Sequence, residues 1–393
     1  MTSPDWPRLV AGRGARVWDT TGQEYIDWIC GYGPVVIGHG DPRIATAVYQ
    51  QMLAGTLLPG GSDLEDALGE RLLTYHPSAD SYLFLKTGSE AVAAAIRLAR
   101  AHTGRRQVLR IGFHGWHDGL IDPKVGWHNW DNVRTPGPHP PGANPHDELG
   151  IETNPASTAD EIEARFRASN APPLAAVVLD PIQLPDLATG LTRLRRACDD
   201  TGALLVLDET KTAFRVAMGG VQELYGIHAD LTIAGKALAN GLPLSSVLGS
   251  CDVVQPKRTR VKGTFNGERA ALAAAHATLD VLEHDDVCQR LDTVGAALIT
   301  EVNKALDATG LSELVTAVPY RWNSMPHLHA PTGHPEAQRV RHELIADARH
   351  RGVLLLEGHN SFVNASHTTS DATRTADAIH DAAQALNHPR ART

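Results

Sequence analysis

Two short apolar runs that each end in charge constrain this chain more than any other feature. Ala203-Leu204-Leu205-Val206-Leu207 closes on Asp208-Glu209, and Leu231-Thr232-Ile233-Ala234 closes through Gly235 on Lys236. Runs of this length and apolarity are strands buried on both faces, as in a parallel sheet, where a charge is not held idly. Lys236 stands 28 positions after Asp208, room for a crossover that returns the chain to a neighbouring parallel strand. Open α/β sheets place their chemistry at the C-terminal ends of their strands. An acid and a lysine therefore reach one edge.

The rest of the chain supports such a sheet. Strands around 82, 108, 175, 204, 231 and 245 alternate with helices, which predicts a mostly parallel sheet flanked by helices. Tyr82 to Leu85 is a strand, Lys86-Thr87-Gly88-Ser89 a tight turn and Glu90 to Ala101 a helix. Leu174 to Leu179 runs into Asp180-Pro181-Ile182-Gln183, and helices are expected over 160–170, Leu191 to Thr201 and Glu268 to Leu282. Before this core come a hairpin around Thr20-Thr21-Gly22, a glycine-rich loop over 31–40 and helices over Asp41 to Leu57 and from Leu64 to Tyr75. Residues 121–160, rich in proline and carrying Trp127 and Trp130, read as a surface insertion or a substrate-facing loop.

A chain of 393 residues exceeds one typical module. Beyond about 285 the pattern changes to helices and short strands. The expected division is an N-terminal segment, 1–45, joining a smaller C-terminal domain, 285–393, around a large domain, 46–284.

Charge narrows the partners. The net charge is −9, and no stretch concentrates lysine and arginine, which argues against nucleic acid or an anionic membrane and for small molecules. Cys30, Cys198, Cys251 and Cys288 are far apart with no CxxC spacing, so they signal neither a zinc site nor a disulfide framework. No basic segment followed by an apolar one opens the chain and no run approaches a membrane span, so a soluble cytoplasmic protein is expected.

Asp208 and Lys236 are the two groups a pyridoxal phosphate enzyme requires: an amine for the Schiff base and a carboxylate that keeps the pyridine nitrogen protonated. A buried Asp–Lys ion pair, or two solvated loop charges, is the other reading of the same residues. The Gly88-Ser89 turn opening a helix offers free N–H groups, a hydroxyl and a positive dipole end, as a phosphate would need. An ordinary capped helix has the same residues. A Walker A loop does not fit, because Asp230 stands where its first glycine belongs and Ala237 follows Lys236. His114, His117 and Asp118 resemble a metal cluster but lack further ligands at recognisable spacing. Aromatic rings beside two imidazoles suit stacking on a flat heterocycle better.

Five motifs in order carry a family resemblance: Thr87-Gly88-Ser89-Glu90-Ala91, Phe113-His114-Gly115-Trp116-His117-Asp118, Asp208-Glu209-Thr210-Lys211-Thr212-Ala213-Phe214-Arg215, Gly235-Lys236-Ala237-Leu238-Ala239-Asn240-Gly241 and Gly263-Thr264-Phe265. The chain resembles class III pyridoxal phosphate aminotransferases, in particular the branch of glutamate-1-semialdehyde 2,1-aminomutase and its aminotransferase relatives. The resemblance spans Gly38-His39 to Ser366-His367-Thr368. It implies an α/β protein of fold type I, with a large domain built on a mostly parallel mixed sheet and a smaller α+β domain from both termini. It also implies a homodimer with active sites at the interface.

Individual roles follow from that resemblance. Lys236 would form the internal aldimine and shuttle the proton, and Asp208 would pair with the pyridine nitrogen. Gly88 and Ser89 would bind the phosphate, Phe113 would stack on the ring with His114 beside it, and Thr264 would reach the phosphate in the partner subunit. The implied reaction moves an amino group from a donor to a carbonyl acceptor through aldimine and pyridoxamine phosphate forms.

Departures leave the outcome open. Asp180-Pro181-Ile182 stands where relatives commonly have Glu-Pro-Val, and Thr210 where they have Val or Ala. Lys211 replaces a common Gln or Met at a position the resemblance puts near the cofactor's O3′ edge. An ammonium there would favour the phenolate or bind an anionic substrate group; alternatively Lys211 turns away into a salt bridge. An aminomutase or racemase using the same chemistry is the first rival. A catalytically silent relative acting as a binding subunit is the second, and a zinc hydrolase on His114 and His117 a distant third. The acceptor suggested by Trp127, Trp130 and the departures is a specialised biosynthetic carbonyl compound.

Overall fold

The computed structural model describes residues 6–117, 120, 150–153, 158–168, 170–254 and 259–387. The chain opens with β1 (Leu9–Arg13), β2 (Arg16–Asp19) and β3 (Glu24–Asp27). The turn between β2 and β3 is drawn in by Asp19, whose carboxylate accepts from the N–H groups of Thr21 at 2.9 Å and Gln23 at 3.0 Å. Helices α1 (Pro42–Ala54) and α2 (Asp63–Tyr75) follow. An alternating stretch then runs β4 (Ser81–Leu85), α3 (Gly88–Thr103), β5 (Gln107–Ile111), β6 (Ile151–Thr153), α4 (Ala159–Arg167), β7 (Leu174–Leu179), α5 (Leu187–Thr201), β8 (Leu204–Asp208), α6 (Gly220–Tyr225), β9 (Leu231–Ala234) and β10 (Ser245–Gly249). The last third holds α7 (Cys251–Val254), α8 (Arg269–His284), α9 (Val287–Ala308), β11 (Thr316–Tyr320), β12 (Trp322–His329), α10 (Pro335–His350), β13 (Val353–Leu354) and α11 (Thr369–Asn387).

The chain forms two compact units, one from Met1–Ala45 with Asp280–Thr393 and one from Thr46–Leu279. In the second unit a seven-stranded sheet has the order β4-β10-β9-β8-β7-β5-β6. The pairs β9–β8, β8–β7, β7–β5 and β5–β6 are parallel, whereas β10 runs antiparallel to both β9 and β4. The architecture is thus α/β with a mostly parallel mixed sheet, and the six expected strands all lie in it. The seventh, β6, falls inside the stretch read from sequence as irregular. Its three residues, Ile151-Glu152-Thr153, carry no apolar run and pair only with β5 at the sheet's edge. Helix α5 also begins four residues before the expected Leu191, because Asp186 caps it by accepting from Thr189 N–H.

Continuous apolarity in β7 and β8 reflects burial on both faces. Leu204 and Val206 join one core with Ala91, Ala95 and Leu98 of α3, while Leu205 and Leu207, on the opposite face, are equally buried. Side-chain alternation sets Asp208 on the face shared by Leu204 and Val206.

In the other unit the sheet order is β1-β2-β3-β13, with β13 parallel to β3, and β11 and β12 form a separate hairpin. Trp28 is fully buried, stacked on His367 with centroids 3.8 Å apart, and donates from Nε1 to Thr375 Oγ1 at 2.9 Å. Among the described residues no helix is long and apolar enough to cross a membrane.

Two buried histidines give stability a pH dependence. Burial pushes both His367 and His76 down to about 4 from 6.5, so the native chain keeps them neutral while the unfolded chain protonates them. Their contribution is intact above pH 6.5 and is lost as pH falls from 6.5 toward 4, amounting to about 2 kcal/mol each at pH 5. Thermal or urea unfolding of His76→Phe and the wild type at pH 7.5 and 5 checks this. The stability difference should shift by about 2 kcal/mol in the variant's favour at the lower pH; an unchanged difference contradicts it.

Candidate active site

Register in the parallel strands decides which side chains meet. Ile111 pairs with Leu179, Leu179 with Leu207 and Asp208 with Ile233, so β5, β7, β8 and β9 end at one edge. His114, Asp180, Asp208 and Lys236 each lie at or within three residues of those ends. This is the edge where an open α/β sheet presents its site.

Asp208 is held from two sides. His114, fully enclosed, places Nδ1 2.8 Å from Asp208 Oδ2 and Nε2 3.0 Å from the Ile111 carbonyl oxygen. Thr210 donates its N–H to Asp208 Oδ1 at 3.1 Å and adds a short hydroxyl hydrogen bond to the same oxygen. Burial pushes the Asp208 carboxyl up, but the bonds from His114 and Thr210 outweigh it and hold the group below the ordinary carboxylate range. A buried, ionised carboxylate results.

The mouth of α3 adjoins this acid. Thr87 and Glu90 form a capping box: Thr87 Oγ1 accepts from Glu90 N–H at 3.2 Å, and Glu90 accepts from the N–H groups of Lys86 at 3.0 Å and Thr87 at 2.9 Å. Among the described residues no partner meets the Gly88 and Ser89 N–H groups, the remaining donors of the first turn. Ser89 Oγ accepts from Trp116 N–H at 3.4 Å. Glycine is required nearby: Gly115 has φ +98°, and a Cβ there would fall 2.0 Å from Ser89 Oγ. A Cβ on Gly88 would meet Thr210 Cγ2 at 3.2 Å. Two amide donors, a hydroxyl and a helix N-terminus thus open beside Asp208, a donor set that suits a phosphate.

Lys236 follows β9 in a left-handed conformation, φ +42°, as the first residue of a tight turn, Lys236–Ala239. Such a backbone is costly for a residue with a side chain and persists only where its surroundings enforce it. Burial and then the neighbouring Lys211 ammonium push the Lys236 amine down to about 7, against the pull of Asp208 and Asp180.

Lys211 itself is paired: its Nζ lies 3.1 Å from Asp180 Oδ2, with both side chains largely enclosed. The salt bridge left open by the sequence therefore exists, yet it keeps Lys211 close enough to act on Lys236. Asp180 also caps its own turn by accepting from Ile182 N–H at 3.2 Å. Asp180 and Thr210 are site neighbours that sequence reasoning noticed only as departures. The signal for Asp180 was the one that exposed Asp208, a charge closing a buried apolar run. Glu209, fully buried and pushed up to about 7 by burial, accepts from the N–H groups of Val221 at 3.0 Å and Gln222 at 3.1 Å. It braces α6 from behind.

Phe113 lies partly buried on the turn before His114. Thr264 does not join this group: it is exposed on the turn before α8, and no hydrogen bond or ion pair among the described residues ties it to the others. Asp118, Trp127 and Trp130 lie outside the described residues. Both ring nitrogens of His114 are engaged, and among the described residues no three His, Cys, Asp or Glu side chains are grouped to hold a metal ion.

Comparison with known proteins agrees with the geometry. The family model for class III aminotransferases matches residues 7–388. Glutamate-1-semialdehyde 2,1-aminomutase of Methanosarcina acetivorans is 31% identical over 93% of this chain and 89% of that protein. Aminopentol aminotransferase of Sphingopyxis macrogoltabida is 32% identical over 98% of this chain and 89% of that protein. Among solved structures, the PLP internal aldimine form of Sphingopyxis sp. MTA144 FumI protein superposes with a TM-score of 0.83 at 28% identity, covering 98% of this chain and 92% of that one. With a family match that runs from the first strand into the last helix, and with its acid and lysine at neighbouring strand ends, the chain belongs to the class III aminotransferases, enzymes dependent on pyridoxal 5′-phosphate.

Proposed function

We propose that Lys236 bonds the cofactor and then carries the proton, that Asp208 holds its ring nitrogen, and that Gly88, Ser89, Phe113 and His114 complete its seat. When bound, pyridoxal 5′-phosphate supplies a carbonyl that condenses with amines and a protonated ring that withdraws electrons. Lys236, pushed down to about 7, exchanges between amine and ammonium at neutral pH, so it can both condense and return a proton. Asp208, ionised and locked by His114 and Thr210, keeps a proton on a nitrogen brought against it. The observation that carries this reading is that this carboxylate and a lysine of depressed pKa stand at the ends of the neighbouring parallel strands β8 and β9.

The working unit in this reading is a homodimer in the cytoplasm. Tyr49, Met52, Leu53, Leu57 and Leu58 form an exposed apolar stretch, an unusual load for one chain's surface. Arg269 N–H donates to the Thr56 carbonyl at 2.9 Å, bringing Phe265, 57% exposed, and Thr264 to the same region. That placement supports Thr264 as a phosphate ligand in the partner's site. Four free cysteines suit a reducing compartment.

The amino group passes from a small-molecule donor to a carbonyl acceptor in specialised biosynthesis. A donor supplied alone should react once per site and stop, and a carbonyl acceptor should restart it; quenched-flow product counting checks this. Steady turnover of one substrate without acceptor would support the aminomutase reading instead, which the 31% identity to a glutamate-1-semialdehyde 2,1-aminomutase favours. Screening donors and then acceptors identifies the pair.

A further inference from the structure

We propose that Lys211, fixed by Asp180 at the strand end next to the one that carries Lys236, is a positioning residue that prepares Lys236 to react as an amine. The inference rests on the reading of Lys236 as the cofactor lysine and adds what prepares that lysine. Three features of the fold carry it. Asp180 lies one residue past β7, Lys211 three past β8 and Lys236 two past β9, and these three strands are consecutive parallel neighbours, so the Lys211–Asp180 pair sits at the strand ends next to Lys236. The ion pair, at 3.1 Å with side chains 11% and 3% exposed, is shielded from salt and leaves the cation little freedom to swing away. Asp180 is itself immobilised, since its other oxygen accepts from Ile182 N–H and a Cβ on Gly112 would lie 2.7 Å from Asp180 Cβ.

The groups whose charges bear on Lys236 are Lys211 and Arg215, which disfavour its ammonium, and Asp208 and Asp180, which favour it. An amine next to a second ammonium in a desolvated site is a general means of making a lysine nucleophilic near neutral pH. With its ammonium committed to Asp180, Lys211 is also not a free receptor for a substrate anion.

The test is the pH dependence of Lys236 acetylation by pulses of acetic anhydride in the cofactor-free full chain, read by mass spectrometry and normalised to exposed lysines. Lys211→Met should raise the midpoint by about one pH unit. Lys211→Arg, which retains the charge, should restore it to within about 0.3 unit. Because Lys211→Met leaves Asp180 buried and unpaired, the double variant Lys211→Met/Asp180→Asn guards against a folding defect and should raise the midpoint by about half a unit. A midpoint unmoved in both Lys211→Met and the double variant overturns the proposal and assigns the depression to burial alone. Borohydride trapping of cofactor on the wild-type chain is the separate control. An adduct on a lysine other than Lys236 sinks the reading of the site itself, whatever the midpoints show.

Discussion

Lys236→Ala is expected to lower turnover by at least about 10⁴-fold, because in the proposed mechanism it removes the covalent partner and leaves only binding and electrostatics. The residual fold should be intact. Lys236 lies partly buried, ends no core cluster, and its left-handed backbone at φ +42° is enforced by the surrounding turn rather than by the side chain. Circular dichroism and unfolding curves would therefore match the wild type while single-turnover rates collapse. Borohydride should also fail to attach cofactor to the variant. A Lys236→Ala enzyme within about 100-fold of wild type would remove this residue from its assigned role.

Asp208→Asn is the second large effect, and its value lies in what it preserves. The amide is isosteric and can still accept from Thr210, so the loss isolates the negative charge. A drop of about 10²–10³-fold in the rate of the donor half-reaction is expected, the range for removing one preorganised electrostatic partner from a buried site. His114 should feel the change as well, since its Nδ1 then faces an amide at the position now 2.8 Å away. Stopped-flow measurement of the half-reaction, with cofactor retention followed through gel filtration, separates the chemical loss from weaker binding. A rate within about threefold of wild type would exclude charge at Asp208 as part of the machinery.

The two effects differ for a physical reason. In the proposed mechanism Lys236 supplies a bond and a proton, and the other lysine of the site, Lys211, is already paired with Asp180. Asp208 in that mechanism supplies a negative field, which other carboxylates of the site such as Asp180 share in part. The smaller midpoint shift expected at Lys211 follows the same logic at one further remove.

Much of this was readable along the chain. The buried strands β7 and β8 announce themselves because both of their faces are covered, which leaves no polar alternation and makes the terminal Asp180 and Asp208 stand out. The β4–turn–α3 unit was equally plain from the apolar run and the Gly88-Ser89 turn, although the structure starts α3 at Gly88 and caps it with Thr87 and Glu90. Local rules of this kind act over a few residues, so composition and spacing suffice to state them. Edge strand β6 escaped because a short strand paired on one side has no need of an apolar run.

Sequence alone determined which residues could do chemistry: an acid, a lysine, a glycine-serine turn and an aromatic-histidine cluster. Tertiary structure decided which of them meet. His114 is 94 positions from Asp208, and Lys211 is 31 positions from Asp180; only the parallel register of β5, β7, β8 and β9 closes those gaps. Whether Lys211 would point away or stay was likewise undetermined by residue type, because a lysine stem accommodates either course. The choice fell to a buried carboxylate at the end of the next strand, which a low-dielectric edge cannot leave without a partner.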